Sequence, residues 1–206
     1  HLPNERIHQI VHGHDELIGI GSVEPVLQGI EGALAEIDRA IDQLGLAGID
    51  LEPGFAEPAR HPDDALYWPI YEHLQKRGIP LFLMSGPTTP DPSYNDPARL
   101  AAVARAFPDL TIVVYHGYWP NVQQALGIAF RFENIHLVPD MYLFQPGSEG
   151  YVQAANGYLA EQLLFGSSYT FRPIRQSIED ALQLGLKDEA LEKFFHGNAR
   201  RVLGLA

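Results

Sequence analysis

The stretch of residues 110–120, LTIVVYHGYWP, decides the fold. Residues 110–114 predict a buried strand, because a short run of β-branched and apolar residues is typical of a parallel sheet. The strand ends at Tyr115 and His116, and Trp119-Pro120 predict the start of the next helix. A histidine at the carboxyl end of a parallel strand is placed where α/β enzymes carry their chemistry. The alternative is a histidine packed and hydrogen-bonded beneath a loop.

Strand and helix patterns alternate along the whole chain. Six apolar runs predict strands, each followed by a helical pattern, with a spacing of roughly 25 to 30 residues that is typical of a (β/α)₈ TIM barrel. The predicted strands are residues 17–23, 47–51, 79–84, 110–114, 135–138 and 162–165. A closed barrel needs eight strands, so we expect two further units upstream of His1. The 206 residues therefore predict one TIM-barrel domain.

Composition limits the classes of function. Of the 206 residues, 46% are hydrophobic and 19% charged, and the formal net charge is −12. This charge disfavours partners with phosphate backbones or anionic lipid surfaces, so we expect neither a nucleic acid nor a membrane. The absence of cysteine excludes disulfides, thiolate nucleophiles and zinc–thiolate sites. A cytoplasmic enzyme with a small-molecule substrate fits these facts, and a homo-oligomer is compatible with such a barrel.

Polar residues follow each predicted strand. Because the carboxyl ends of parallel strands meet at one face of a barrel, we expect these residues to converge on one site. They are Glu24, Glu52, Ser85, His116, Asp140 and Ser167. No glycine-rich dinucleotide or phosphate loop follows a strand, and no Gly-x-Ser-x-Gly motif is present.

Each of these residues has a functional interpretation and a structural one. His116 is the predicted general acid or base. Asp140 either orients His116, binds substrate or caps its own loop, and Glu52 is either a site carboxylate or a turn residue before Pro53. Hydroxyl groups near the strand ends offer hydrogen bonds to an anionic substrate or satisfy their own turns, and they belong to Ser85, Ser167 and Ser168. Aromatic residues there either wall a pocket or belong to the core: Tyr118, Trp119, Tyr142 and Tyr169.

Five stretches resemble the amidohydrolase-2 family, the barrel hydrolases and decarboxylases related to aminocarboxymuconate-semialdehyde decarboxylase. They are GIDLEPGF (48–55), YWPIYEHLQKRGIPLFL (67–83), FPDLTIVVYHGYWP (107–120), LLFGSS (163–168) and FFHGNARRVLGL (194–205). The resemblance covers nearly the whole chain and implies a TIM barrel whose first two units precede His1.

The same resemblance implies a divalent metal, usually zinc, and shows how this chain departs from the family. The family's ligands are a His-x-His pair after the first strand, a histidine after the fifth and an aspartate after the eighth. The fifth-strand position falls on Met84 and the eighth on Ser168, and a thioether is a poor zinc ligand. The catalytic histidine after the sixth strand falls on His116. The resemblance therefore implies no metal ligand in this chain. His12-Gly13-His14 also has His-x-His spacing, but it precedes a strand and lies at the opposite end of the barrel.

Three functions remain open at this point. The first is an amidohydrolase-related hydrolase or decarboxylase acting on a small carboxylated substrate, with His116 as acid or base and Asp140 or Glu52 assisting. The second is a barrel that has lost catalysis and binds a ligand or a partner subunit. Glu24 and Glu52 as paired carboxylates are the weaker indication of a third, a glycosidase.

Overall fold

The computed structural model describes residues 2–205. Five strands form one parallel sheet in the order β1-β2-β3-β4-β5. The strands are β1 (Gly21–Ser22), β2 (Ile49–Leu51), β3 (Leu81–Met84), β4 (Ile112–Tyr115) and β5 (Ile135–Val138). Each strand pairs with the next in sequence, with a helix in each connection, as in a TIM barrel.

The helices follow the alternation that the sequence predicted. They are α1 (Asn4–Val11), α2 (Pro25–Asp42), α3 (Trp68–Arg77), α4 (Pro97–Ala106), α5 (Val122–Arg131), α6 (Glu149–Ala155), α7 (Ile174–Ala181), α8 (Asp188–Glu192) and α9 (Asn198–Val202). A short 3₁₀ helix, Asp140–Phe144, follows β5. No helix among residues 2–205 combines the length and the apolar character that crossing a bilayer requires.

Of the six predicted strands, only 135–138 has the bounds of the structure, and the largest differences are at three places. In the run 17–23 only Gly21–Ser22 is a strand, and the run 162–165 contributes a single parallel bridge between Leu137 and Leu163. Trp119-Pro120 does not begin a helix, because α5 begins at Val122 after a turn.

The two faces of the sheet carry different side chains. On the outer face, alternate strand residues pack under the helices and are at most 1% exposed: Ile49, Leu51, Leu81, Leu83, Ile112, Val114, Ile135 and Leu137. On the inner face, the register aligns Asp50 with Phe82, Phe82 with Val113, and Val113 with His136. Because side chains alternate along a strand, this second row faces the barrel interior. The outer row packs against the helices, and the inner row contains the polar side chains of Asp50 and His136 beside the apolar Phe82 and Val113.

Candidate active site at the carboxyl end of the sheet

His116 and Asp140 form the centre of the site. They follow the neighbouring strands β4 and β5, and Asp140 Oδ2 accepts a hydrogen bond from the His116 backbone N–H at 2.8 Å. The same oxygen lies 2.7 Å from His116 Nδ1, although the ring N–H is not aligned for a hydrogen bond. The side chains are only 13% and 5% exposed. Asp140 therefore holds the His116 backbone by a hydrogen bond and places a carboxylate oxygen beside the imidazole ring.

The backbone around this pair is strained. Among residues 2–205, four residues other than glycine have a positive φ: His116 (64°), Tyr118 (64°), Asp140 (47°) and Ser168 (51°). All four lie in loops at the carboxyl end of the sheet. A left-handed conformation costs an L-residue about 1–2 kcal/mol, and such strain concentrates at functional sites.

Three aromatic side chains surround His116. The rings of Tyr115 and Tyr142 meet the imidazole edge to face, with centroids 5.2 and 5.4 Å away. Trp119 stacks on Tyr142 at 5.2 Å, and its indole N–H donates to the Pro146 carbonyl at 3.1 Å. Tyr142 and Trp119 therefore stand together beside the imidazole.

A set of carboxylates lies on the other side of Tyr115. Its hydroxyl is 2.7 Å from Asp50 Oδ1 and 3.2 Å from Glu52 Oε1. Burial, opposed in part by the Tyr115 hydrogen bond and assisted by the charge of Glu52, raises the pKa of Asp50 to about 7. Burial also raises the pKa of Glu24, whose carboxylate accepts from the Val26 N–H at the start of α2, and Glu52 again adds to the shift. Asp50 therefore retains a proton close to neutral pH.

The hydroxyl groups of the predicted serines bond to backbone groups, that of Ser167 in its own loop and those of Ser85 and Ser168 in neighbouring segments. Ser85 is 2% exposed, donates to the Tyr115 carbonyl at 2.7 Å and accepts from the Tyr118 N–H at 2.9 Å. Ser167 accepts from the Tyr169 N–H at 3.2 Å. Ser168 accepts from the Met141 N–H at 3.5 Å, which places its hydroxyl beside the residue that follows Asp140.

Two predicted wall residues lie elsewhere. The side chain of Tyr118 is 2% exposed and belongs to the hydrophobic core, so it lies beneath the site. Tyr169 is 68% exposed and projects into solvent. A polar strand end therefore does not guarantee that the neighbouring aromatic faces the site.

Sequence reasoning missed four residues that shape this site: Asp50, Tyr115 as a hydrogen-bond donor, Asn95 and Tyr151. The period-2 pattern of Ala47, Ile49 and Leu51 leaves Asp50 on the opposite face, so the sequence did carry a signal for it. Asn95 and Tyr151 come from distant loops and helices, and no local pattern predicts their contacts.

The remaining histidines have separate surroundings. His12 and His14 are exposed beside α1, away from the site. His73 pairs with Asp38 on the outside of the barrel, with 2.7 Å between Nε2 and Oδ1. His136 is 5% exposed in the interior row, where burial lowers its pKa to about 4 and keeps the ring neutral. In the closing HGN motif it is Asn198 that ties the chain, by donating to the carbonyls of Ala160 and Leu163.

The described residues do not fit a metal of the kind that the resemblance implies. Between residues 2 and 205, no three His, Cys, Asp or Glu side chains lie close enough to hold one ion. Met84 ends β3 and Ser168 lies beside Met141, and a thioether and a hydroxyl are weak ligands for zinc or manganese.

Two cavities lie near the site without containing His116. One, of about 300 Å³, is in the interior and is lined by Ser22, Asp50, Phe82 and Tyr115 among others. The other, of about 610 Å³, lies between the segment after Asp140–Phe144, α6 and Gly185. None of the predicted site residues lines the larger cavity. The position of the site therefore follows from its side chains and not from the size of a cavity.

Solved structures define the class of fold. An uncharacterised TIM-barrel protein of Bordetella bronchiseptica is 38% identical, with a TM-score of 0.92 over 98% of this chain and 72% of its own. A dihydroxybenzoic acid decarboxylase of a Polaromonas species, solved with manganese and the inhibitor 2-nitroresorcinol, is 18% identical with a TM-score of 0.75. That match covers 98% of this chain and 73% of the decarboxylase. A 4-oxalomesaconate hydratase of Rhodopseudomonas palustris is 19% identical, with a TM-score of 0.70 over 98% and 70%. The fold is thus that of a TIM barrel.

The family follows from the sequence. The model of the amidohydrolase family matches residues 4–205, so the chain belongs to that family. Comparison with curated proteins finds no match.

Proposed function

We propose that this amidohydrolase-family chain hydrolyses or decarboxylates a small carboxylated substrate, with His116 as general acid or base. The contact of 2.7 Å between His116 Nδ1 and Asp140 Oδ2 carries the proposal. A buried carboxylate on Nδ1 favours the tautomer with its proton on that nitrogen, which leaves Nε2 to exchange a proton with the substrate. The decarboxylase and hydratase with the same fold are consistent with this class of chemistry.

The two reactions use the imidazole differently. In decarboxylation, the bond to the carboxylate breaks, its electron pair stays on the substrate carbon, and protonated His116 delivers a proton to that carbon. In hydrolysis, neutral His116 removes a proton from the water that attacks the carbonyl carbon. The imidazolium then returns this proton to the leaving group as its bond to that carbon breaks. In both reactions Asp140 stabilises the charged imidazole, and Tyr142 and Trp119 shield it from bulk water. Glu52 and Glu24 are the further candidate contacts for the substrate.

The second candidate is a barrel without catalysis that binds a ligand or a partner subunit. The observation in its favour is the pair of side chains Met84 and Ser168 at positions where the family resemblance implies metal ligands.

Enzymatic turnover distinguishes the proposed enzyme from the barrel without catalysis. Purified protein, with its metal content measured, is incubated with aromatic carboxylic acids, lactones and amides, and product formation is followed by chromatography. We expect turnover of at least one acid, and a loss of about 10²- to 10⁴-fold in His116→Asn, the usual range for general acid–base catalysis.

The matched control is His73→Asn, because His73 has an aspartate at the same distance but lies on the outside of the barrel. We expect its turnover to stay within about twofold of the unmodified protein. Full activity of His116→Asn would remove His116 from the mechanism, and absence of turnover on every substrate class would favour the non-catalytic barrel.

A further inference from the structure

We infer that Tyr151 of α6 is a positioning residue, because its hydroxyl locks the left-handed turn that carries the His116 imidazole. The inference rests on the proposed function in one respect, that His116 is the residue worth positioning. Nothing in the sequence near His116 points to Tyr151, which lies 34 positions beyond Gly117.

The turn itself is unusual. His116, Gly117 and Tyr118 have φ values of 64°, 58° and 64°, so three consecutive residues are left-handed. L-residues other than glycine enter this region singly rather than in succession, and the right-handed form is favoured unless contacts oppose it. The Trp119 N–H donates to the His116 carbonyl at 3.1 Å, which closes the turn.

Side chains from four separate segments hold this turn by its backbone. Asp140 accepts from the His116 N–H at 2.8 Å, and Tyr151 donates to the Gly117 carbonyl at 2.8 Å. Ser85 accepts from the Tyr118 N–H at 2.9 Å, and Asn95 donates to the Trp119 carbonyl at 2.9 Å. The polar groups of the turn are therefore satisfied only in this conformation, which is how strain of this kind persists in a folded protein.

Tyr151 is the member of this set that packs directly on the turn. It is fully buried, and a Cβ at Gly117 would come within 2.9 Å of its hydroxyl and 3.2 Å of the Pro139 Cα. The hydroxyl thus lies where the turn meets the segment that carries Asp140. Burial raises the pKa of Tyr151 well above its usual value, and the charge of Asp140 adds to the shift, so the hydroxyl remains a donor.

Removing this donor has a specific consequence. The Gly117 carbonyl would be left buried with no partner, which favours a different turn that returns it to a hydrogen bond. Any such change rotates the His116 Cα–Cβ bond, since His116 is the first left-handed residue of the turn. The ring then leaves Asp140, and the preference for a proton on Nδ1 is lost.

The test compares two isosteric deletions, Tyr151→Phe and Tyr71→Phe. Tyr71 is equally buried and also donates to a backbone carbonyl, that of Pro62 at 2.7 Å, but it belongs to α3. The readout is the ring spectrum of His116 in long-range ¹H–¹⁵N correlation at neutral pH, assigned by the signals missing in His116→Asn. We expect the Nδ1–H tautomer in the unmodified protein and in Tyr71→Phe, and a mixture of tautomers in Tyr151→Phe. For a converted substrate, we also expect kcat to fall about 10-fold or more in Tyr151→Phe with KM within about twofold.

An unchanged His116 spectrum in folded Tyr151→Phe would overturn the inference, and so would an equal change in Tyr71→Phe. Should Tyr151→Phe not fold, Asn95→Asp and Asn156→Asp repeat the comparison. Each amide accepts one hydrogen bond from a backbone N–H and donates one to a backbone carbonyl, but only Asn95 reaches the turn. We expect the tautomer to change in Asn95→Asp alone, and an unchanged spectrum there rejects the inference.

This readout also separates the inference from the proposed function. If His116→Asn retains full turnover while Tyr151→Phe changes the tautomer, the proposed catalytic role fails and the positioning role stands. If His116→Asn abolishes turnover and the tautomer stays unchanged in Tyr151→Phe, or in Asn95→Asp where Tyr151→Phe does not fold, the reverse holds.

Discussion

Two histidine–aspartate pairs in this molecule have the same separation and opposite surroundings. His116 and Asp140 lie 2.7 Å apart at the carboxyl end of the sheet, with 13% and 5% of their side chains exposed. His73 and Asp38 also lie 2.7 Å apart, on the helical shell, with 27% and 49% exposed, and Asp38 is shared with Arg77. The distance is the same, so it does not identify a catalytic pair. Burial, strained backbone and neighbouring polar groups distinguish the inner pair.

The same contrast holds for single carboxylates. On the shell, the His73 hydrogen bond lowers the pKa of Asp38 below its usual value, burial opposes this effect, and Arg77 adds to the lowering. In the interior, burial raises the pKa of Asp50 to about 7. Contacts on the shell therefore stabilise the charged form of Asp38, whereas burial in the interior destabilises the charged form of Asp50. The direction in which protein stability changes with pH therefore distinguishes the two positions.

The largest expected effect on stability is that of Asp50→Asn. Folded Asp50 keeps its proton up to about pH 7, whereas the unfolded chain releases it near the usual aspartate pKa of 3.8, so stability falls as pH rises through this window. Roughly three pKa units at about 1.4 kcal/mol each, discounted for the partial exposure of the side chain, give a loss of about 3 kcal/mol by pH 8. We expect Asp50→Asn to remove this loss, because an amide carries no charge and still accepts from Tyr115.

Urea denaturation at pH 5.5, 7 and 8 checks this expectation. Asp38→Asn is the control and has the opposite sign, since it removes a stabilised charge and lowers stability slightly at all three values. A pH profile for Asp50→Asn that parallels the unmodified protein would show that Asp50 is already ionised in the fold.

The next prediction compares the loss of stability in Asp140→Asn with that in Asp38→Asn. Asp140 accepts the His116 N–H within a buried loop, and a hydrogen bond to a buried charge contributes about 1.5–3 kcal/mol. Asp38 is half exposed, where an ion pair contributes about 0.2–1 kcal/mol. We expect the free energy of unfolding in urea to fall by about 2 kcal/mol in the first variant and by less than about 1 kcal/mol in the second. Equal losses would mean that the two pairs differ in position but not in energy.

Sequence reasoning succeeded where structure is local and failed where it depends on distant contacts. The apolar run 135–138 is the strand Ile135–Val138, and its position in the alternation predicted Asp140 at a strand end. The run 17–23 shortens to Gly21–Ser22, and the contacts there are not local, since Gly21 packs closely against Ala40 of α2 and Asn4 of α1.

The candidate site divides in the same way. His116, Asp140 and Glu52 were predicted from strand ends, which a sequence displays. The left-handed turn was not, because only Gly117 marks it and the groups that hold it, Tyr151 and Asn95, come from distant segments. Asp50 was overlooked as one acid inside an apolar strand, although alternation places it on the inner face.

A third prediction separates the energetic cost of backbone strain at the turn from the cost of side-chain contact with Tyr151. Gly117 and Gly45 have similar φ values of 58° and 65°, but a Cβ at Gly117 meets the Tyr151 hydroxyl at 2.9 Å, whereas a Cβ at Gly45 meets nothing within 4 Å. Alanine at either position incurs the left-handed penalty of about 1 kcal/mol, and at Gly117 it also displaces a buried residue, for a total of about 2–3 kcal/mol. Thermal unfolding of Gly117→Ala and Gly45→Ala measures the difference. Equal losses would show that the turn accommodates a methyl group and that Tyr151 does not fix it.

The smallest effect is the coupling between the partners of the outer pair. A double-mutant cycle over His73→Asn and Asp38→Asn removes each side chain separately and together, so that only their interaction remains. Exposed pairs of this kind couple by about 0.5 kcal/mol and are screened by salt, so we expect the value to approach zero in 1 M NaCl. The same cycle over His116→Asn and Asp140→Asn should give a coupling above about 1 kcal/mol that salt hardly changes, because counterions do not reach a pair that is 13% and 5% exposed. If salt abolished both couplings alike, burial would no longer distinguish the inner pair, and the case for His116 would rest on backbone strain and position alone.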